Sequence, residues 1–359
     1  MTNHPLDALL KAHGVAAVVP QTPANPSFSV IVRTQGNRPK SLREAVTSVH
    51  AQTYQQYELI IVVHGSLAAF ETVSAEFAAS AGISEDSNAS PQNTSKTKNS
   101  SGTPINNTPG KTRVLHVQGG GRARPLNVGL DAADGDYVCF LDDDDLAKPQ
   151  WLSVFAKTAG NAPGTIIRAV VESQNWTTEG SGQPVRAVGD VEKPFAGSFD
   201  LLAHMSMNDT PICSIAVPRL AVERFNVRFD EALPVFEDWE FLMRLAMLVG
   251  VTSTPEITAL YRRLDSGNAD TVHDQQTWEE THAEVIKRLS NRPVLLPVGD
   301  AQRVASSHYV VGGESRHSQE LQKAREELAI LTRSPRRWFQ AFSTKAFKVL
   351  VQRIRNRAR

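Results

Sequence analysis

Two cysteines, Cys139 and Cys213, are too few for a disulfide scaffold or a multi-cysteine zinc module in a chain of 359 residues. Each lies in an apolar run and reads as a buried, inert thiol. Net charge is also lacking: 38 basic residues balance 38 acidic ones, so the chain as a whole is no electrostatic trap for nucleic acid. No run of 18 apolar residues occurs, so no membrane span is expected. The first 20 residues carry only Val15–Val19 as an apolar stretch and no basic n-region, which does not read as a secretory signal. A cytoplasmic location is the expectation. With 41% hydrophobic residues the chain can build a sizeable core.

Two segments depart from the average. Residues 84–110 contain only two apolar side chains, Ala89 and Ile105, among Ser, Thr, Asn, Gly and Pro. Such a segment cannot bury enough surface to offset its ordering entropy and is expected to be a disordered insert. Residues 333–359 hold nine Lys or Arg and no acid, interleaved with Trp338, Phe339, Phe342, Phe347, Leu350 and Ile354. That is the composition of an interfacial helix on an anionic membrane, or of a basic helix docking on an acidic partner or on the body of the protein. The expected organisation is an extension over 1–26, a main domain over 27–275 carrying the insert, a helical extension over 276–332 and the basic tail.

Within the main domain, strands and helices alternate. Apolar runs at 28–33, 58–63, 113–117 and 136–141 read as strands. Helical patterns follow Ser41-Leu-Arg-Glu44, a capping-box sequence, and also cover 67–79, 125–133 and the stretch from Pro149 to Gly160. Further strands are expected at 165–171, 212–217 and 256–261, with helices at 238–249, closed by Gly250, and at 271–289. The stretch 172–203 is less regular. A second, charged helix is expected at 313–331. The alternation predicts an α/β fold with a mostly parallel central sheet flanked by helices.

Three clusters could carry chemistry. Asp142, Asp143, Asp144 and Asp145 follow the fourth strand, at the carboxyl end where open α/β sheets bind ligands. In an extended backbone Asp142 and Asp144 share one face, and oxygen ligands of this kind suit Mg²⁺ or Mn²⁺ shared with a phosphate. The alternative is a solvated turn with one Asp capping a helix. Glu237 and Asp238 open the helix over 238–249, as dipole complements or as a general base facing an acceptor hydroxyl. Gly119-Gly-Gly-Arg122-Ala-Arg124-Pro-Leu-Asn127 precedes a helix, either as a tight turn or as a place where backbone and guanidinium groups meet phosphate. His273 is a lone histidine, a packing residue or a metal ligand.

In order and spacing these residues resemble the inverting, bacterial-type family 2 glycosyltransferases of the GT-A fold, from about Phe28 to about Asp274. The resemblance is carried by Ser29–Thr34, Asn37-Arg38-Pro39, Ser48-Val-x-x-Gln-Thr-Tyr54, Ala123-Arg124-x-x-Asn127-x-Gly129-Leu130, Asp142-x-Asp144-Asp145 and Glu237-Asp238. It implies a metal-dependent hexosyltransferase with a nucleotide-sugar donor, by family default a UDP-sugar, and Mn²⁺ or Mg²⁺ as cofactor. The acceptor would be a glycan or a lipid-linked glycan, in cell-surface polysaccharide or glycoconjugate synthesis. By position Asp142 would meet the ribose, with Asp143 beside it, and Asp144 would hold the metal with Asp142. His273 could complete the metal shell, and Asp238 would be the base, with Glu237 its competitor. Thr34, Arg38, Arg122, Arg124 and Asn127 would line the donor pocket. Two departures stand out. Arg33 replaces the family's proline, and Val63-His64-Gly65-Ser66 replaces the usual Asp-Asp-Gly-Ser, so His64 stands near the missing acid that contacts the nucleotide base. A lipid-linked acceptor would suit a protein held peripherally at the cytoplasmic membrane face by its basic tail. A non-catalytic nucleotide-sugar-binding regulator and a metal-dependent nucleotidyltransferase are the alternative functions.

Overall fold

The computed structural model describes residues 23–77, 111–266, 272–292, 294, 296 and 299–304. The expected insert, the charged helix over 313–331 and the basic tail lie outside them. Contacts divide the chain at Leu295/Leu296. Of the second unit only a few residues are described, among them Arg303, whose Nη1 pairs with Asp300 at 2.7 Å.

Strand β1 (Phe28–Thr34) leads through α1 (Pro39–His50) to β2 (Tyr57–His64), then α2 (Leu67–Phe77), β3 (Lys111–Val117), α3 (Ala123–Ala132) and β4 (Tyr137–Asp142). A short β5 (Leu146–Ala147), α4 (Trp151–Asn161), β6 (Ile166–Glu179), β7 (Gln183–Glu192) and α5 (Leu201–His204) follow. Then come β8 (Ile215–Pro218), α6 (Arg219–Arg224), α7 (Glu237–Val249), β9 (Val251–Leu264) and α8 (Gln275–Ser290).

One sheet runs in the order β3-β2-β1-β4-β8-β6-β9-β5, with β7 paired to β6. The pairings among β1 to β4 are all parallel, as the alternating pattern predicts. Beyond β4 the sheet is mixed: β8 is antiparallel to β4 and β6, whereas β6 and β9 are parallel.

The buried strands read as continuous apolar runs because helices cover both faces. Val30, Val32, Leu59 and Ile61 pack with Leu42 and Val46 of α1 and with Trp151 and Phe155 of α4. The alternate residues Ile31, Ile60 and Val62 pack on the other side with Leu126 and Leu130 of α3 and Phe241 and Leu245 of α7. The α3 helix sits flush against β1, since a Cβ on Gly129 would lie 2.6 Å from Ile31 Cγ2. Helix α8 joins the body through Val285 and Leu289, which pack with Trp239, Met243 and Met247 of α7.

Three local expectations need correction. The capping box at Ser41 does not form: α1 begins at Pro39, and Ser41 is buried inside it, its hydroxyl donating to the Asp143 carbonyl at 2.5 Å. Proline fits the first helical turn, where its missing N–H has no partner to lose. The irregular stretch after 172 is the β6–β7 hairpin. Residues 212–214 form a 3₁₀ turn before β8 rather than strand.

Candidate active site

The chain order places β2 and β3 on one side of β1 and β4 on the other. The carboxyl ends of β1 and β4 therefore flank the point where successive crossovers diverge, where such sheets open a crevice. A cavity of about 290 Å³ lies there, with Thr34, His64, Asp142, Asp143 and Asp144 on the sheet side and Glu237, Asp238 and Trp278 on the helix side.

The acidic run does not stay extended. The Asp145 N–H donates to the Asp142 carbonyl at 3.1 Å, closing a turn, so the expected alternation of Asp142 and Asp144 on one face gives way. The turn instead brings Asp142, Asp143 and Asp144 to the cavity together. Asp145 points into the protein, where its Oδ1 accepts from the Arg262 N–H at 2.9 Å. Burial, with Asp144 and Asp142 adding, pushes its carboxyl well above the usual range.

Each of the three acids that the turn brings to the cavity meets an arginine. Arg33 and Asp142 are directly opposite in the β1–β4 register, and the guanidinium grips both carboxylate oxygens at 2.5 and 2.9 Å. The Asp142 carboxyl falls below its ordinary value: burial, the largest single effect, would raise it, and the charge and hydrogen bonds of Arg33, with the charges of Arg122 and Arg38, together outweigh burial. Arg38 pairs with Asp143 at 2.7 Å and with Asp144 at 2.6 Å. Thr34 donates its hydroxyl to Asp143 Oδ2 at 2.5 Å. Burial raises Asp143 to about 7, against the pull of Arg38 and with Asp144 adding.

Across the cavity, Glu237 and Asp238 differ sharply although they are neighbours. The Glu237 side chain is 3% exposed, and its Oε1 accepts from Arg33 at 2.8 Å and from Arg122 at 3.1 Å. Burial would raise its carboxyl, yet Arg122 and Arg33 hold it below the usual range. Asp238 has no arginine partner among the described residues. Its Oδ1 accepts from the Trp239 N–H at 2.7 Å and the Asn208 amide at 3.3 Å, while Oδ2 has no partner among the described residues. Burial first, and then the Glu237 charge, raise Asp238 to about 6.

The helix start that aims this pair is strained. Phe236, the residue before α7, has φ +62, a left-handed conformation that bulky residues rarely adopt. Its ring is held edge-on against Trp239 at 5.3 Å and Trp278 at 4.8 Å. Packing of this kind can sustain a backbone cost of about 1–3 kcal/mol.

Of the residues expected at the site, Thr34, Arg38, His64, Arg122, Asp142, Asp143, Asp144, Glu237 and Asp238 line the cavity. His64 Nε2 donates to the Gly119 carbonyl at 3.1 Å. Arg124, Asn127 and His273 do not line it. The Arg124 stem lies across Gly120, where a Cβ would come within 2.4 Å of its Cδ. Asn127 bonds both the N–H and the carbonyl of Phe229 at 2.9 Å, a clamp on the segment leading to Phe236. His273 is half-buried just ahead of α8. Both cysteines are buried and free, and burial pushes their thiols up.

Arg33, Asn208, Tyr261, Arg262 and Trp278 also line the cavity and were not anticipated as site residues. A charge ending an otherwise apolar strand was the available signal for Arg33. For Trp278, 40 residues beyond Asp238 in the chain, no local signal exists.

Among the described residues no group of three or more His, Cys, Asp or Glu is arranged to hold a metal ion. The oxygen chemistry still suits a hard divalent cation that takes further ligands from phosphate and water. Asp144 gives Oδ2 to Arg38, and its Oδ1 has no partner among the described residues.

Residues 29–214, more than half of the chain, match the model of glycosyl transferase family 2. The chain belongs to that family. Among curated relatives, the family 2 chain is 28% identical over 151 residues to the glucosyl-dolichyl phosphate glucuronosyltransferase of Haloferax volcanii. That match covers 41% of this chain and 39% of the relative's length. Among solved structures it is similar to residues 1–349 of S. aureus TarS in complex with UDP-GlcNAc, with a TM-score of 0.52 and 17% identity. The likeness covers 75% of this chain and 68% of that one. A second structure of S. aureus TarS 1–349 gives a TM-score of 0.50 at 18% identity, covering 75% of this chain and 67% of that one. At such identities the likeness concerns the fold, which is GT-A.

Proposed function

We propose that this family 2 member transfers a sugar from a nucleoside diphosphate sugar to an acceptor hydroxyl, with inversion at the anomeric carbon. The observation that carries the reading is the split between Glu237 and Asp238. One carboxylate is neutralised by two arginines, and its neighbour is raised to about 6 with a free oxygen at the cavity. A base needs that second environment, being ionised near neutral pH yet basic enough to accept a proton. An acid used only to complement a helix dipole would be exposed and would need no cavity.

In the proposed reaction the acceptor O–H gives its proton to Asp238 Oδ2 while its oxygen attacks the anomeric carbon. The bond from that carbon to the phosphate oxygen breaks, and its electron pair leaves on the nucleoside diphosphate. Charge therefore grows on the diphosphate, and preorganised cations nearby lower the barrier. Arg122 is the suited guanidinium: among the described residues only its Nε is engaged, with Glu237, and the side chain is 38% exposed. Mn²⁺ or Mg²⁺ held by Asp144, with Asp142 beside it, would supply Lewis-acid charge to the same oxygens. His64 and Thr34 are assigned to the nucleotide end and Trp278 to the acceptor side, where an aromatic face suits a sugar ring.

A UDP-sugar is the donor to try first, and a glycan or lipid-linked glycan the acceptor class. A peripheral position on an anionic membrane, through residues 333–359, fits that acceptor. No described helix is long and apolar enough to cross a membrane. The test is thermal shift with UDP-, GDP- and dTDP-sugars, with and without Mn²⁺, since a ligand that binds only the native state raises its melting point. A donor found this way should bind Asp238→Asn as tightly as wild type while transfer is lost. Equal transfer by the variant overturns the base assignment.

A further inference from the structure

Arg38 has no part in the reaction described above, yet it is built into the acidic turn. It is the residue before α1 and makes no side-chain cap there. Its guanidinium reaches instead across to the β4 turn and bridges Asp143 and Asp144, with its side chain only 15% exposed. Burial, the largest single effect, works against its charge, and the charges of Asp144, Asp143 and Asp142 with the Asp144 hydrogen bond together more than compensate.

The two halves of the bridge are unequal. Asp143 is enclosed, 2% exposed, and both its oxygens are engaged, one by Arg38 and the other by Thr34. Ser41 of α1 holds the same residue by its carbonyl. Asp144 is 14% exposed, lines the cavity and has a single partner among the described residues, Arg38 on Oδ2. The bridge thus has a fixed end at Asp143 and a releasable end at Asp144. Three adjacent carboxylates facing one cavity repel each other unless a cation stands among them. A guanidinium and a divalent cation at Asp144 would also repel each other at contact distance.

We infer that Arg38 is the resident counter-cation of the acidic turn. It holds Asp144 in the donor-free protein and yields it to the divalent cation that arrives with the diphosphate, pivoting on Asp143. Arg38 then opposes metal binding to the empty site and favours binding of metal and diphosphate together, because the diphosphate offers the released N–H groups a new partner. This rests on the reading that Asp144 holds the cation.

The experiment titrates Mn²⁺ alone, followed by the paramagnetic resonance signal of the free ion, into the donor-free full chain. Wild type, Arg38→Gln, Asp144→Asn and the double variant are compared. Arg38→Gln should bind Mn²⁺ about tenfold more tightly than wild type, the size expected for removing a well-formed, partly buried charge competitor. Asp144→Asn should abolish the binding in both backgrounds. If Arg38→Gln binds no more tightly than wild type while Asp144→Asn still abolishes binding, the counter-cation role is overturned and the metal assignment stands. If the double variant binds as tightly as Arg38→Gln, Asp144 is not the ligand and both fall. Should Arg38→Gln fold poorly, Arg38→Lys keeps a positive charge but cannot bridge two carboxylates. It should bind Mn²⁺ about threefold more tightly than wild type; equal or weaker binding overturns the inference.

Discussion

The raised Asp238 makes a quantitative prediction for the pH dependence of transfer. At a value of about 6, roughly nine-tenths of the base is ionised at pH 7 and roughly one-tenth at pH 5, at one decade per unit. An ordinary aspartate, at about 3.9, would remain about nine-tenths ionised at pH 5. Only the ionised form accepts a proton, so activity is lost as pH falls. kcat/KM should therefore drop roughly tenfold between pH 7 and pH 5, where an unperturbed base would leave it nearly flat. Glu237→Gln removes the charge that, after burial, contributes most to raising Asp238, and it leaves Arg33 and Arg122 to act on Asp238 unopposed. The acidic limb of the profile should then move to lower pH by about one unit. Asp238→Asn should lower kcat by about 10²–10⁴ and flatten the limb that remains. The assay is release of nucleoside diphosphate under subsaturating donor from pH 4.5 to 8, with each variant's fold checked at every pH. A limb that stays near 6 in Asp238→Asn, or does not move in Glu237→Gln, refutes the assignment of the base and of what raises it.

Arg33→Met should destabilise the fold by about 3 kcal/mol in denaturant melts, since it leaves the largely buried Asp142 without its ion-pair partner and the buried Glu237 with Arg122 alone. Gly129→Ala should cost about 1–3 kcal/mol in the same melts, because the added methyl would meet the Ile31 side chain at 2.6 Å. Asp144→Ala should leave the melting point within a few degrees of wild type but remove Mn²⁺-dependent nucleotide binding, measured by calorimetry; unchanged binding argues against the cation site. Flotation with anionic vesicles should retain the full chain and release a chain ending at residue 332, whereas equal flotation would place the membrane contact elsewhere.

What the sequence made legible follows from where burial writes a periodic signal. Strands β1, β2 and β4 are buried on both faces, so their apolar runs were readable without knowing the partners. Helix α7 announced itself by Phe241, Leu242 and Leu245 and by Gly250, which takes φ +73 at its end. The acidic turn and the Glu237-Asp238 pair were visible as dense local charge. The β6–β7 hairpin was not, because β7 is exposed along most of its length and carries no alternation for burial to impose. Nor was the partition of the acids. Which carboxylate meets Arg33, Arg38 or no arginine depends on strand register and on a turn at Asp145, and residue type alone does not encode that. Asn127 shows the converse: its place in a recognisable motif suggested ligand contact, whereas its amide spans the backbone of Phe229.

The most direct test of the central claim is the stereochemistry and leaving group of a single product. The donor identified by thermal shift would be incubated with the protein, Mn²⁺ and a simple glycoside acceptor, and followed by proton NMR at the anomeric position. Inversion requires attack from the face opposite the departing diphosphate, with Asp238 taking the acceptor proton. The prediction is a product of inverted anomeric configuration formed in step with free nucleoside diphosphate. Retained configuration, or release of pyrophosphate in place of nucleoside diphosphate, would contradict it.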